Sequence, residues 1–373
     1  MKIGIFTTHF AINYGAVLQA YALRKSIEKL GHQCEIIHYH PLNKVDGRKF
    51  VYNFKTIKSS LYSVLLFINL KFKNNKKKKN IKFDLFLHQK CSLSKETYNS
   101  FSELKSNLPF YDCLICGSDQ IWNLNLFNEP AFFLRFEDKY PKTKYIAYAP
   151  SIAEKMTTKQ LKEIAENIQH FTSLSMREKQ SANQLSEYLN KPISHVLDPV
   201  FLLSKEEWQI VEEPLDIPAP YILIYALSSG SNFTKVISSV RKELKYKVVN
   251  INLNPIDKFW SDYSLTSLSP GNFVWLFRHA EFICTSSFHG TVFSIVFEKQ
   301  FFTVPASRRG IRIENILIQL SLEHRLITNN DSLRKPSDFQ NIDYGVVSKQ
   351  LEKLRNNSFS YLKESINPTT SAL

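Results

Sequence analysis

Hydrophobic and polar positions along this chain alternate in blocks that switch between strand-like and helix-like spacing. The opening shows this, with an apolar strand at Lys2–Thr7, a polar loop, a helix from about Gly15 to Leu30, and a second strand at Cys34–Tyr39. Within the helix, apolar residues recur every three or four positions, and Gly31 stands where helices commonly end. Strand, helix and strand in this order predict a parallel sheet.

The same rhythm returns further along the chain. We predict strands at Tyr111–Cys116, Lys144–Tyr148 and Ser173–Met176, with helices after the later ones. A stretch with three prolines, Glu212–Pro220, predicts a linker, and beyond it strands and helices alternate again up to Ser321. The pattern therefore predicts an α/β fold with two Rossmann-like domains that face each other across a cleft.

The length of 373 residues also favours more than one domain. We place a first domain at residues 1–211, a second at 212–345, and a C-terminal helix and tail at 346–373. The last helix, roughly Gly345–Lys363, is expected to pack back across the first half. Ligands of parallel sheets bind beyond the carboxyl ends of the strands, so the loops after strands are where reactive side chains are expected.

Positive charge is concentrated in one segment. Of a formal net charge of +14, thirteen basic and only two acidic residues lie within 41–90, which interrupts the alternation and which we interpret as a basic insertion. Residues 59–70 inside it are apolar and flanked by lysines, including the run Lys76–Lys79. Such a segment is suited to peripheral contact with an anionic membrane through residues 48–82, and a solvated lysine loop is the alternative.

Composition narrows the class of protein. Five cysteines, an odd number, and an N-terminal apolar run too short for a leader predict a cytoplasmic protein with reduced thiols. Cys113 and Cys116 form a CxxC, but inside a strand they point to opposite faces. We see no metal-ligand spacing and expect no metal or cofactor. Outside residues 41–90 the positive and negative charges nearly balance, which argues against nucleic acid as a partner.

One loop with candidate chemistry precedes the first helix. Asn13, Tyr14 and Gly15 stand at its start, where unpaired backbone N–H groups favour an anion and glycine allows close approach. The alternative is an ordinary turn capped by Asn13. The loop has no GxGxxG, so a dinucleotide site is not predicted.

A second loop follows the predicted strand that ends at Cys116. It contains four residues of interest: Ser118, Asp119, Gln120 and Trp122. Polar side chains are costly to bury, so we predict that this loop lines the cleft. Asp119 is suited to orient or deprotonate a hydroxyl, and Trp122 to stack on a sugar face. The alternative is that Trp122 caps the core.

Two further loops carry groups that bind anions. Arg177 stands at a strand–helix junction, where it is placed to hold a phosphate or carboxylate, the alternative being a salt bridge to Glu178 or Asp198.

In the second half, Thr285–Thr291 leads from a strand through hydroxyls into His289 and Gly290 at a helix start. That pattern predicts phosphate binding with an imidazole placed for proton transfer. One of three arginines after the next strand is expected to complete the site: Arg308, Arg309 and Arg312.

Taken together, these motifs resemble a known family. The opening KIGIFTTHFAINYGAVLQAYALRKSIEKLGH, then YDCLICGSDQIWN, SMRE, VLDPVF and FICTSSFHGTVFSIVF, occur in the order found in polysaccharide pyruvyl transferases. The resemblance runs from Met1 to about Leu326 without the basic insertion. It implies a GT-B-like fold and transfer of pyruvate, as a ketal, from phosphoenolpyruvate to two hydroxyls of one sugar. The implied acceptor is a sugar or lipid-linked oligosaccharide of a bacterial-type surface polysaccharide, such as capsule or exopolysaccharide. The enzyme would then lie in the cytoplasm, at the inner face of the membrane.

The resemblance also assigns roles to residues. His289 matches the family histidine near the donor, and Arg177 matches the first-domain donor arginine. Some members carry an arginine two positions before that histidine; this chain has Ser287 there, so we name Arg312 as its substitute. Phosphoenolpyruvate is thus expected to contact five residues: Arg177, Ser287, His289, Gly290 and Arg312. The catalytic candidates are His289, as acid or phosphate ligand, and Asp119, as base. The predicted acceptor-binding residues are Asn13, Tyr14, Gly15, Ser118, Gln120 and Trp122.

Two other functions stay open at this point. A GT-B glycosyltransferase that uses a nucleotide sugar would have the same fold and cleft, and a base-binding carboxylate in the second domain would distinguish it. The sequence shows no clear one. A binding protein without turnover would hold nucleic acid on the lysine-rich segment, and its binding would depend strongly on salt.

Overall fold

The structure is a computed structural model that describes residues 1–41, 48, 70–227, 231–251, 261–305, 310–328 and 339–367. Its strands form two separate sheets, and every pair of neighbouring strands is parallel. Helices connect most of the consecutive strands within each sheet. The predicted α/β fold with two Rossmann-like units is confirmed by these two parallel sheets, whereas the exact domain limits stay a prediction.

The first sheet has seven strands. They are β1 (Lys2–Phe6), β2 (Gln33–Tyr39), β3 (Leu93–Tyr98), β4 (Cys113–Cys116), β5 (Lys144–Ala147), β6 (Ser173–Met176) and β7 (Ser194–His195). They lie in the order β3-β2-β1-β4-β5-β6-β7. Strand order therefore reverses between β1 and β4, and such a reversal opens a crevice beyond the carboxyl ends of the strands.

The second sheet has five strands. They are β8 (Tyr221–Tyr225), β9 (Lys247–Ile251), β10 (Tyr263–Leu265), β11 (Phe282–Thr285) and β12 (Gln300–Thr303). Their order is β10-β9-β8-β11-β12, so the reversal lies between β8 and β11. Every residue of β4, β8 and β11 is buried. Continuous burial of this kind is typical of parallel strands that are covered on both faces.

The helices are α1 (Tyr14–Lys29), α2 (Leu70–Lys90), α3 (Phe101–Asn107), α4 (Thr158–Asn167), α5 (Lys179–Leu189), α6 (Lys205–Gln209), α7 (Ser231–Leu244), α8 (Pro270–His279), α9 (Phe288–Val296), α10 (Ile311–Gln319) and α11 (Tyr344–Ile366). Short 3₁₀ turns occur at Pro130–Phe133, Pro199–Leu202 and Glu323–Arg325. Among the helices that the structure describes, none combines the length and the apolar character needed to cross a bilayer.

Helix α2 occupies the end of the segment that we interpreted as a basic insertion. It connects β2 to β3, and its Phe83, Phe86 and Leu87 are buried. The ring of Phe83 lies 5.1 Å from that of Tyr14 at the start of α1. This part of the segment is therefore the crossover helix of a β-α-β unit, held by apolar contacts. Residues 42–47 and 49–69, which include nearly all of the predicted apolar run, lie outside the described residues.

Helix α11 joins the two units. Near its start, Tyr344 Oη donates to the carbonyl of Lys299 in the second unit at 2.5 Å. Near its end, Tyr361 Oη donates to the carbonyl of Ala147 on β5 at 2.9 Å. The expectation that the last helix packs back across the first half is confirmed.

Candidate active site

Side chains from both units meet at Asp198. This residue follows β7, and its Oδ1 accepts a hydrogen bond of 3.0 Å from the backbone N–H of Val200, which fixes the carboxylate. Its Oδ2 accepts a hydrogen bond of 2.6 Å from Arg177 Nη1 and lies 3.5 Å from His289 Nε2. The second distance is long for a hydrogen bond, so it marks an electrostatic contact. Arg177 follows β6 and His289 opens α9, so this carboxylate connects the two units.

The charges of this cluster stabilise one another. Burial alone would raise the pKa of Asp198, but the neighbouring His289 and Arg177 outweigh burial and hold that pKa well below its usual range. Burial would likewise lower the pKa of Arg177, and Asp198, Glu178 and Asp119 reverse this and raise it. Asp198 and Arg177 are therefore both charged at neutral pH.

The guanidinium of Arg177 is only partly engaged by Asp198. Its Nε lies 3.5 Å from Glu178 Oε1, and its buried Nη2 has no hydrogen-bond partner among the described residues. Its Cζ is 4.5 Å from the centre of the Phe288 ring, and Arg312 Cζ approaches the same ring at 5.4 Å. Two guanidinium groups beside one ring favour an anion as ligand, because an anion relieves their mutual repulsion.

A pocket opens beside these arginines. Six of the residues that line it are Arg177, Asp198, Phe288, Arg312, Asn315 and Gln319. In the part of the chain that the structure describes, the buried atoms Asn315 Nδ2 and Gln319 Oε1 have no hydrogen-bond partner. Because buried polar atoms are nearly always paired, several unpaired ones in one pocket indicate a ligand site. The cavity volume is about 20 Å³, enough for roughly one water, so a larger ligand requires the pocket to open.

His289 lies against the start of α1. A Cβ atom placed on Gly15 would come within 2.0 Å of His289 Nδ1, so glycine is needed for the imidazole to occupy this position. Ser287 caps α9, its Oγ accepting from the N–H of Gly290 at 3.4 Å. Gly290 in turn packs on Thr285, whose Oγ1 would be 2.1 Å from an added Cβ. This turn holds His289 in place; direct donor contacts of Ser287 and Gly290 stay predictions.

The predicted acceptor residues before α1 have mainly local partners. Asn13 is exposed, and its Oδ1 accepts from the N–H groups of Gly15 and Ala16 at 2.9 and 3.3 Å, as a helix cap does. Tyr14 is buried, and its ring stacks on that of Phe273 at 4.6 Å. Tyr14 thus belongs to the core between the units and presents no exposed face. Acceptor binding by Asn13, Tyr14 and Gly15 stays a prediction.

The loop after β4 turns most of its polar groups inward. Ser118 Oγ donates to the carbonyl of Ala149 at 2.6 Å, and Trp122 Nε1 donates to the carbonyl of Phe132 at 3.1 Å. Both side chains are buried, which corresponds to the alternative in which Trp122 caps the core. Acceptor contact by Ser118 and Trp122 therefore stays a prediction without an exposed surface to support it.

Asp119 and Gln120, in the same loop, are half-buried and keep some exposed surface. Asp119 Oδ2 accepts from Thr8 Oγ1 at 2.7 Å, and its charge acts on Arg177. Asp119 therefore lies on the Arg177 side of the loop. The roles of Asp119 as base and of Gln120 in acceptor binding stay predictions.

Sequence reasoning missed part of this site. The sequence suggests Asp198 only as a salt-bridge partner of Arg177, and it does not single out Asn315 and Gln319. A signal for the latter two existed, since Arg312, Asn315 and Gln319 are spaced three and four apart and share one face of α10. Arg308 and Arg309 lie outside the described residues.

Comparison with known proteins identifies the family. The family model of polysaccharide pyruvyl transferases matches residues 13–308. This chain belongs to that family. The matched region contains Arg177, Asp198 and His289 and ends just before Arg312. The predicted enzyme class is confirmed for this polysaccharide pyruvyl transferase family member.

Similarity to individual proteins is weaker. A search of curated proteins found no match. Among solved structures, UDP-GlcNAc 2-epimerase from Methanocaldococcus jannaschii is similar at 13% identity and a TM-score of 0.47, covering 95% of this chain and 93% of that chain. MurG from Acinetobacter baumannii is similar at 9% identity and a TM-score of 0.44, covering 98% of each chain. Heptosyltransferase WaaC from E. coli has 8% identity and a TM-score of 0.38, covering 95% of this chain and 99% of that one. Sequence identities and TM-scores this low do not support an inference about the substrate of this chain.

Proposed function

We propose that this family member transfers pyruvate from phosphoenolpyruvate onto two hydroxyls of one sugar and releases phosphate. The observation that supports this best is the pocket in which Arg177 and Arg312 approach the same Phe288 ring, lined also by the Asp198 carboxylate that lies 3.5 Å from His289 Nε2. Phosphoenolpyruvate carries a carboxylate and a phosphate, the two groups that planar guanidinium groups bind best.

Two arginines are needed because the charge of Arg177 is partly offset. Asp198 lies 2.6 Å from its Nη1 and Glu178 lies 3.5 Å from its Nε, so Arg177 alone has little net charge for a ligand. Its buried Nη2 remains available as a donor. Arg312 would supply the second positive charge. We propose that Arg177 orients the donor through hydrogen bonds and that Arg312 adds to its attraction.

The reaction then follows from the chemistry of the donor. A proton added to the methylene carbon of phosphoenolpyruvate makes C2 electron-poor, and a sugar hydroxyl attacks C2 and loses its proton. The C2–O bond to phosphate breaks, phosphate leaves with the bonding electron pair, and the second hydroxyl closes the ketal as it loses its proton. The methylene carbon consumes one proton and the two sugar hydroxyls release two, and the departing phosphate takes up the remaining proton. His289 is the group best placed for proton transfer in this scheme.

The test is an assay of purified protein with phosphoenolpyruvate and a panel of aryl and lipid-linked galactosides, glucosides and mannosaminides. We expect phosphate release together with a product heavier by one pyruvyl ketal. His289→Ala and Arg177→Lys should each lower the rate about 10²–10³-fold. Arg177→Lys keeps a positive charge beside Asp198, so it removes the planar donor with least damage to the fold.

Matched controls use the same substitutions at exposed positions. His324→Ala and Arg241→Lys, the latter in a surface pair with Asp262 at 3.3 Å, should leave the rate within twofold of the wild type. Transfer of a sugar from a nucleotide sugar, with no consumption of phosphoenolpyruvate, would instead support a glycosyltransferase.

We further propose that the acceptor is lipid-linked and that the enzyme works at the anionic inner face of the membrane. The exposed side of α2 supports this: Lys77 and Lys78 lie on it together with Ile81 and Leu85, which are 48% and 51% exposed. Exposed aliphatic groups beside lysines suit the surface of an anionic bilayer. Lys79 differs, because it is half-buried and its Nζ lies 4.5 Å from the Tyr14 ring.

Vesicle sedimentation tests this second proposal. The protein should sediment with phosphatidylglycerol vesicles and much less with phosphatidylcholine vesicles, and Lys77→Glu with Lys78→Glu should weaken binding at least tenfold, at about 1 kcal/mol per basic residue. The control pair Lys159→Glu and Lys162→Glu lies on exposed positions of α4 and should have no effect. Equal loss in both double variants would show only a general dependence on net charge.

A further inference from the structure

Asp198 faces one particular nitrogen of His289 from a fixed position. The carboxylate of Asp198 is held by two strong partners that do not depend on His289, the N–H of Val200 at 3.0 Å and Arg177 Nη1 at 2.6 Å. Its position is therefore fixed before the imidazole is considered. His289 Nε2 is buried and, among the described residues, has no hydrogen-bond partner, and Asp198 Oδ2 lies 3.5 Å away.

A fixed carboxylate determines which ring nitrogen carries the hydrogen. An ionised carboxylate only accepts hydrogen bonds, so a nitrogen that faces it is stabilised when it bears a hydrogen and repelled when it presents a lone pair. The pKa of Asp198 is held well below its usual range, against the effect of burial, by His289 and Arg177, which keeps this carboxylate ionised at neutral pH. The neutral imidazole should therefore be the Nε2–H tautomer.

The other nitrogen then has a defined place. Nδ1 lies on the side of Gly15, at the start of α1, where an added Cβ would be 2.0 Å away. Turning the ring by half a turn would place carbon atoms where the two nitrogens now lie and would leave a C–H facing the carboxylate. The ring orientation that satisfies Asp198 therefore directs Nδ1 toward the loop before α1.

We propose that Asp198 is a positioning residue that keeps the hydrogen of His289 on Nε2 and so makes Nδ1 the nitrogen that exchanges a proton with the ligand. This inference rests on the proposed function for its chemical meaning. In the neutral ring, Nδ1 carries the lone pair that takes a proton from the ligand; in the protonated ring, it carries the proton that the ligand takes back.

Nitrogen NMR of histidine-labelled protein tests the assignment without any substrate. The His289 signals are identified as those lost in His289→Gln, and at alkaline pH, where imidazoles are neutral, the wild type should show the Nε2–H pattern. In Asp198→Asn, the population should move toward Nδ1–H. Asp262→Asn, a surface carboxylate that accepts from the N–H of Val248, is the control and should leave the His289 signals unchanged.

Kinetics then separates positioning from structural support. Asp198→Asn should lower kcat about 10²-fold with less than threefold change in KM for phosphoenolpyruvate, whereas a general loosening of the site would raise KM as well. If Asp198→Asn does not fold, the nitrogen NMR spectrum of the wild type alone tests the tautomer of His289. An Nδ1–H pattern in the wild type, or an unchanged pattern in folded Asp198→Asn, overturns the proposal. A correct tautomer in a protein that never consumes phosphoenolpyruvate would contradict the proposed function and leave this assignment standing.

Discussion

Two sets of strand-end residues in this molecule look alike in sequence and differ in structure. The loop after β4, with Ser118 and Trp122, and the cluster of Arg177, Asp198 and His289 both follow strands of parallel sheets. In the β4 loop, Ser118 Oγ and Trp122 Nε1 each donate to a backbone carbonyl of the same unit. In the cluster, Arg177 Nη2 and His289 Nε2 are buried without hydrogen-bond partners among the described residues.

The difference shows what identifies a ligand site in this fold. A polar residue at the end of a parallel strand is in the right place for a ligand, but it takes part only if its polar atoms are not already used by the backbone. Buried polar atoms that the protein leaves unpaired are costly, and a ligand is one way to offset that cost. We therefore expect Ser118 and Trp122 to respond to mutation through stability, and the cluster through activity.

The largest expected effect is at Trp122. Trp122→Ala should lower the free energy of unfolding by about 3–5 kcal/mol because it leaves a cavity in the core. Trp275→Ala is the control, since Trp275 is only half-buried against His279 and should cost less. Chemical denaturation of both variants measures this. An unchanged stability together with a raised KM for the sugar would instead place Trp122 at the acceptor.

Gly15→Ala should have the next largest effect, and this effect should be a loss of activity. The added Cβ would lie 2.0 Å from His289 Nδ1, so the imidazole must move. A displacement of about 1 Å at a reacting group costs about 10²-fold in rate. The measurement is kcat with phosphoenolpyruvate and an accepted sugar.

A closely matched control exists for Gly15→Ala. Gly345 is the second residue of α11, as Gly15 is of α1, and its N–H also donates to its capping side chain at 2.9 Å. Gly345→Ala should leave kcat unchanged. Equal losses of activity in the two variants would mean that the effect arises from the helix start and not from His289.

Ser118→Ala should act mainly on stability. The variant removes the donor to the buried carbonyl of Ala149 and should cost about 1–3 kcal/mol in the free energy of unfolding. Because Ser118 is buried on the core side of the loop, the activity of the folded enzyme should stay within twofold of the wild type. A large rise in KM for the sugar at unchanged stability would contradict this assignment.

The smallest effect is a pH dependence at Asp198. Because its folded-state pKa is depressed, Asp198 stabilises the protein above the unfolded-state pKa of about 4, and this stability is lost as pH falls toward the folded-state value. The difference in free energy of unfolding between the wild type and Asp198→Asn should therefore narrow below about pH 4. Urea unfolding at several pH values measures it. A constant difference over that range would contradict a depressed pKa.

Most of the fold could be predicted from the sequence because parallel strands and their helices leave strong hydrophobic patterns. Strands β3 and β10 were not predicted, because β3 has four consecutive polar residues with no apolar alternation and β10 has only three residues. Helix α2 was assigned to an insertion because its lysines obscured the apolar spacing of Phe83, Phe86 and Leu87.

The site was harder to predict than the fold. Arg177, His289 and Arg312 could be proposed as site residues from residue type and position after strands. Asp198 could not, because its partners lie 21 and 91 positions away in sequence, and only the packing of the two units brings His289 to it. Residue type alone does not identify such a site. His9 Nε2 is also buried and has no hydrogen-bond partner among the described residues, but burial and the nearby His38 lower the pKa of His9 to about 3. His289 differs because it faces the Asp198 carboxylate.

The most direct test of the account is calorimetric titration of the protein with phosphoenolpyruvate, which requires no knowledge of the acceptor. The wild type should bind at one saturable site, Arg177→Lys should bind at least tenfold more weakly, and Arg241→Lys should bind like the wild type. If phosphoenolpyruvate fails to bind while a nucleotide sugar does, or if Arg177→Lys binds phosphoenolpyruvate as tightly as the wild type, the assignment of this cluster as the donor site is contradicted.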